Sequence, residues 1–265
     1  IWLKADAIAA LNDGDKVATW SDSSGENNHF TQGTDANRPV YKTNILNTLP
    51  VVRFTAASAQ LLVSSFSAAS QANLTAFLVL KYSGTFSQAR SLCTVDNNGC
   101  SFQTLSNTSR MNLTGNISGY FGSTNTNPQL QVWRYTGGTP VVEAWQDNIS
   151  KTVTNSGTIP ATIGAAAGNW RLGGVASAYM DGDIAEVVVY YAVLSDVERG
   201  AIEDYLYNKY WVSSSPVVGG DLSTQFSKRL DCVQDGKDIN TRMRDVVNTA
   251  YTRTDTDLQY GVSTY

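Results

Sequence analysis

The strongest apolar run lies late in the chain, at residues 184–191, where only Glu186 interrupts IAEVVVYY. A short run of this kind reads as a strand buried on both faces. At Ser195 the pattern changes to a helical period. Val197, Ala201, Ile202, Tyr205, Leu206 and Tyr210 recur at three- and four-residue intervals, and Ser195 with Glu198 has the S-x-x-E spacing of a capping box. The spacing predicts a helix that starts at Ser195 and lays its stripe on the sheet containing 184–191. Upstream the period is two: residues 1–6, 17–20, 39–46, 49–55 and 60–64 read as short strands between turn-forming segments. In 74–82, Leu74, Ala76, Leu78 and Leu80 alternate with Thr75, Phe77, Val79 and Lys81, so both faces are largely apolar and the strand is predicted to be central. Two hairpins follow, 90–95 with 100–105 and 130–136 with 141–147. The stretch 106–128, rich in Asn, Ser, Thr and Gly, reads as the most loop-like part.

Three stretches resemble one family. IWLKADA followed by WSDSSGENNHFTQ is similar to the opening strand and W-x-D-x-SGNGN loop of bacterial and viral laminin G-like domains. LPVVRFTAASAQLLV is similar to their P-V-V-R-F strand and turn, and GDIAEVVVYYAVLSDVERGAIEDYLYNKY looks like their closing strand and terminal helix. The resemblance covers residues 1–211 and implies an all-β fold: a two-sheet antiparallel jelly-roll sandwich, concanavalin A-like, with a C-terminal helix. Beyond it, residues 212–220 (VSSSPVVGG after Trp211) read as a linker and 221–265 as a short C-terminal appendage. There Ile239, Met243, Val246 and Val247 recur at helical spacing, giving one amphipathic helix that cannot bury its stripe alone. These four are the assembly candidates, expected to dock on the sandwich, a neighbouring subunit or another protein.

Charged residues make up 16% of the chain and the formal net charge is −4, with the basic residues scattered. That excludes the basic footprint of a nucleic-acid binder. No apolar run is long enough to span a bilayer, and the sequence opens on a strand pattern at Ile1 rather than on a charged-then-apolar leader, so the chain is expected to be an excised or processed part of something longer. Bridging of Cys93 and Cys100, which flank TVDNNG, depends on hairpin register, and Cys232 stands apart.

Candidate chemistry is sparse. In the hairpin 130–147, Trp133, Tyr135, Glu143 and Trp145 interleave rings with a carboxylate, as a sugar platform requires; the competing reading makes the tryptophans core residues. Asp22, Glu26, Asn27 and Asn28 supply hard oxygen donors for a candidate calcium site, although Asp22 also suits a loop-organising role. Asp181, Asp183 and Glu186 in DGDIAE match the carboxylate spacing of jelly-roll glycoside hydrolases, with Asp where those enzymes open on Glu. His29 is the only histidine, and no nucleophile elbow, phosphate loop or zinc spacing is present. The expectation is a noncatalytic adhesion or structural module, extracellular, cell-surface or virion-borne as in a phage. It would bind glycans or neighbouring proteins within a larger assembly, and a glycoside hydrolase is the alternative.

Overall fold

The computed structural model describes residues 1–212 except 68–69, 85–88, 95–98, 106–107, 114–116, 124–125, 140, 165–167 and 176–177. Ile239, Met243, Val246, Val247 and Cys232 lie outside the described residues. The strands run in chain order as β1 (Trp2–Lys4), β2 (Thr19–Trp20), β3 (Phe30–Thr31), β4 (Val40–Leu46), β5 (Leu49–Phe54), β6 (Leu62–Ser67) and β7 (Asn73–Tyr82). Next come β8 (Ala89–Thr94), β9 (Cys100–Leu105), β10 (Thr108–Leu113), β11 (Ile117–Ser123), β12 (Gln129–Thr136) and β13 (Val141–Gln146). The last are β14 (Ile149–Lys151), β15 (Thr154–Asn155), β16 (Asn169–Leu172), β17 (Gly174–Val175), β18 (Ala178–Tyr179) and β19 (Gly182–Tyr190), before helix α1 (Asp196–Tyr210).

The strands form two large antiparallel sheets. One has eight strands in the order β14-β13-β12-β7-β19-β5-β4, with β1 also paired to β19; the other has nine, β15-β11-β10-β9-β8-β16-β6-β3-β2. Between them lies the main core, with Trp20, Phe30, Phe54, Phe102, Trp133, Trp170, Ile184 and Val187 fully buried. A second apolar layer lies on the far side of the eight-stranded sheet, where Phe77, Val79, Val132, Trp145 and Val188 meet Leu206 and Tyr210 of α1. Strand β7 is therefore packed on both faces, as its double apolar pattern predicts.

Helix α1 begins where the capping box places it. The Ser195 hydroxyl accepts from the Glu198 amide, and the Glu198 carboxylate accepts from the Ser195 amide. Its buried stripe is narrower than the sequence pattern suggests, however. Leu206 and Tyr210 are buried, whereas Val197 is 72% exposed and Glu203, not an apolar residue, fills the remaining buried place beside Arg199. The stretch 106–128 also departs from expectation, since it forms β10 and β11. Ser109, Met111 and Leu113 alternate inward and bury, while Thr108, Arg110 and Asn112 are half-exposed. The polar, half-exposed outward residues of β10 mask the strand in composition.

One irregularity decides what faces the helix. Along the β19–β7 ladder, Ile184 pairs with Leu80 but Glu186 pairs with Val79, so Ala185 is an extra residue in a bulge. Ile184 and Val187 point into the main core, while Ala185 and Glu186 both lie on the helix side. Gly173, between β16 and β17, holds φ +87°, and a Cβ there would stand 2.2 Å from the Phe54 ring, so both backbone and space require glycine.

Candidate functional site

The three carboxylates of DGDIAE are each tied into the scaffold. Asp181 accepts from the Ala56 amide at 2.7 Å, and Asp183 is held by both sides of the Arg53 guanidinium at 2.7 and 2.9 Å. Glu186 is fully buried and accepts from Trp2 Nε1, Lys209 Nζ and Tyr210 OH at 2.6, 2.7 and 2.9 Å. Burial disfavours the charged form of Lys209, but its bonds to Glu186 and Asp6 outweigh that and raise its pKa. A nucleophile–acid pair needs two carboxyls about 5 Å apart that face a substrate. Asp183 and Glu186 face fixed cations instead and Asp181 a backbone amide, so the matching spacing reflects a bulged closing strand and its anchor to α1.

The hairpin candidates are separated by register. Trp133 pairs with Ala144, Tyr135 with Val142, Val132 with Trp145 and Arg134 with Glu143. Trp133 and Tyr135 therefore point into the main core, both with no exposed surface, and the Tyr135 hydroxyl donates to the Pro160 carbonyl at 2.6 Å. Glu143 and Trp145 point the other way, towards α1. Trp145 is 8% exposed, with the Arg199 and Arg134 guanidinium groups 4.1 and 5.0 Å from its ring centroid, and Glu143 accepts two bonds from Arg134. The four residues do not share a face, and the three aromatic rings are buried in the two apolar layers.

At the opening loop, both Asp22 oxygens are engaged. One accepts from the Trp2 and Ser24 amides, the other from the Ser24 hydroxyl and the Asn28 amide, while the Asp22 amide donates to His29 Nδ1. Asn27 takes a left-handed φ of 57°. Asp22 thus ties the loop to β1. Among the described residues, no cluster of three His, Cys, Asp or Glu is placed to hold a metal ion. Desolvation pushes the Asp22 carboxyl up, but the bonds from Ser24, Trp2 and Asn28 outweigh it and hold the pKa below the ordinary 3.8. A carboxylate with a depressed folded pKa stabilises above its unfolded pKa, and that stabilisation is lost as pH falls through the folded value. The melting-temperature gap between wild type and Asp22→Asn is therefore expected to close as pH is lowered below 3.8. A gap independent of pH would remove the carboxylate from this role.

One sheet face carries no packed helix among the described residues. On the nine-stranded sheet, alternation turns Leu62, Leu92, Phe102, Met111 and Trp170 inward and the intervening residues outward. Cross-strand pairs Val63–Arg171, Arg171–Cys93, Cys93–Ser101 and Ser101–Asn112 make one outward row, and Gln103–Arg110 begins the next. Cys93, Ser101 and Gln103 are buried in the middle of this strip, with half-exposed Arg171, Asn112 and Arg110 around them. Ser101 Oγ and the Nε atoms of Arg110 and Arg171 are buried without a hydrogen-bond partner. Each such group costs about 1–3 kcal/mol if left unmet. Among the described residues no helix packs here; α1 covers the other sheet.

No protein-family model matches the chain, and no curated protein matches it. Solved structures do. Over 71% of this chain and 97% of the other, it is similar to domain 4 of AbnA, a GH43 extracellular arabinanase from Geobacillus stearothermophilus, at 11% identity and a TM-score of 0.50. It is also similar to the binding domain of Paraclostridial Mosquitocidal Protein 1, at 11% identity and a TM-score of 0.52, over 74% of this chain and 52% of that one. The chain has the β-sandwich fold of these domains. At this identity the likeness is one of fold alone, and the laminin G-like resemblance rests on the three sequence stretches.

The outward strip was hard to find from sequence. Its residues come from β6, β8, β9, β10 and β16, and only register brings them together. The same register settles the cysteines: Cys93 pairs with Ser101 and Cys100 with Leu113, so the two project to opposite faces as buried thiols not joined in a disulfide. Burial pushes the Cys100 thiol pKa well up.

Proposed function

We propose that residues 1–211 are a noncatalytic glycan-binding module, laminin G-like in type, of an extracellular, cell-surface or virion protein, and that 221–265 attach it to a larger assembly. The observation that carries the reading is the outward strip of the nine-stranded sheet, where amide and guanidinium groups gather beside Ser101 Oγ and the Arg110 and Arg171 Nε atoms, which lack hydrogen-bond partners among the described residues. A sheet face bearing such groups offers a sugar many hydroxyl contacts over a wide area. The fold supports the reading: domain 4 of AbnA is described in complex with arabinotriose, and the mosquitocidal domain is described as a binding domain. The commitment of Asp181, Asp183 and Glu186 to scaffold partners supports the noncatalytic half.

A panel of immobilised neutral and acidic polysaccharides tests this. The full chain is expected to be retained on at least one of them, and Asn112→Trp, which places bulk on the half-exposed edge of the strip, is expected to abolish retention with an unchanged melting temperature. A folded chain that no polysaccharide retains would overturn the proposal, as would undiminished retention of Asn112→Trp.

A further inference from the structure

The nine strands of the second sheet contain no aspartate, glutamate, lysine or histidine. Their charged residues are Arg90, Arg110 and Arg171, in a chain whose formal net charge is −4. Elsewhere the described arginines sit against carboxylates: Arg38 on Asp35, Arg53 on Asp183, Arg134 on Glu143 and Asp196, and Arg199 on Glu203. Among the described residues no ion pair involves Arg110 or Arg171, and the Nε of each is buried without a hydrogen-bond partner there. Both project from the same outward face, three strands and one outward row apart, which is ~16 Å at ~4.8 Å per strand and ~3.4 Å per residue.

From this contrast we infer that the strip takes an acidic saccharide, with Arg110 and Arg171 as its anion contacts. The inference rests on the glycan-binding reading above and adds the charge class of the ligand. A guanidinium fork matches the two oxygens of a carboxylate or sulfate and gains most where it is partly desolvated, as both Nε atoms are here. The spacing exceeds one sugar ring, so the two arginines meet acidic groups on different residues of an oligosaccharide, while the half-exposed Asn112 faces a hydroxyl. A nucleic-acid strand is the less suitable polyanion. Such strands are held by closely spaced basic residues and exposed stacking rings, whereas the described outward residues of this strip are Val, Cys, Ser, Gln, Asn and two arginines.

Affinity electrophoresis of the full chain tests the inference with matched polymers: dextran sulfate against dextran, polygalacturonate against its methyl ester, and single-stranded DNA. Retardation is expected from one or both acidic polymers and is expected to be much weaker from their neutral counterparts. Which acidic arm responds identifies sulfate or carboxylate. Arg110→Ala and Arg171→Ala are each expected to weaken that binding roughly tenfold or more with unchanged melting temperature. Arg171→Lys is expected to recover part of it, and Lys16→Ala, on an exposed side chain away from the strip, none of the loss. Equal retardation by neutral polymers, unaffected in both arginine variants, would overturn this inference and leave the glycan reading standing. No retardation by any polymer would overturn both. Binding to DNA as strong as to the acidic glycans, or an equal loss in Lys16→Ala, would show charge attraction without saccharide recognition and also overturn it.

Discussion

Trp133→Ala is expected to destabilise the protein by about 3–5 kcal/mol, read as a large fall in the urea midpoint. Trp133 has no exposed surface, packs 6.2 Å from the Phe102 ring and belongs to the core between the sheets. Domains of this kind have a total stability of about 5–15 kcal/mol, so the loss is a substantial fraction of the whole. The residual folded molecules should bind saccharide as wild type does, because the ring lies on the inward side of its sheet. A soluble Trp133→Ala protein with wild-type stability and lost binding would restore the ring to a ligand platform.

Glu186→Gln is expected to cost about 3 kcal/mol, at the low end for removing one member of a buried pair, because Asp6 still faces Lys209. The pH dependence follows from Lys209, whose pKa is raised in the folded state: its contribution is present below the ordinary 10.5 and is lost as pH rises through the raised value. The gap between wild type and variant should therefore be steady at neutral pH and close only in strong alkali. Chemical denaturation across that range measures it. If Glu186→Gln is as stable as wild type and instead loses a polysaccharide-cleaving activity, the carboxylate is catalytic and not an anchor.

Much of the architecture is legible in the chain. The Ser195–Glu198 box sets the helix start, and the double apolar pattern of 74–82 sets the centre of a sheet, because both are local signals with a fixed period. The hairpin was legible in part. A four-residue loop at 137–140 pairs Thr136 with Val141, and counting back from it puts Trp133 opposite Ala144 and Trp145 opposite Val132. Alternation within each strand does not reveal that these rings lie on opposite faces; the cross-strand count does. The bulge at Ala185 was not legible, since nothing in IAEVVV marks an extra residue. Without it, Glu186 would share a face with Ile184. Strands β10 and β11 were hidden by their Asn, Ser and Thr content, and with β10 the edge of the proposed binding strip that carries Arg110 and Asn112.

The place of β19 in the eight-stranded sheet has a consequence for synthesis. It lies between β7 and β5 and also carries β1, pairing Val187 with Leu3 near the start of the chain. A nascent chain therefore lacks the middle of this sheet until residues 182–190 have left the ribosome. Until then β7 has β12 on one edge and nothing on the other, and Phe77 and Val79 await a helix that emerges later still. Pairings of such long sequence separation are slow to form, and an unpaired central strand attracts other chains. The yield of folded protein should thus be governed by the time between the appearance of β7 and that of β19.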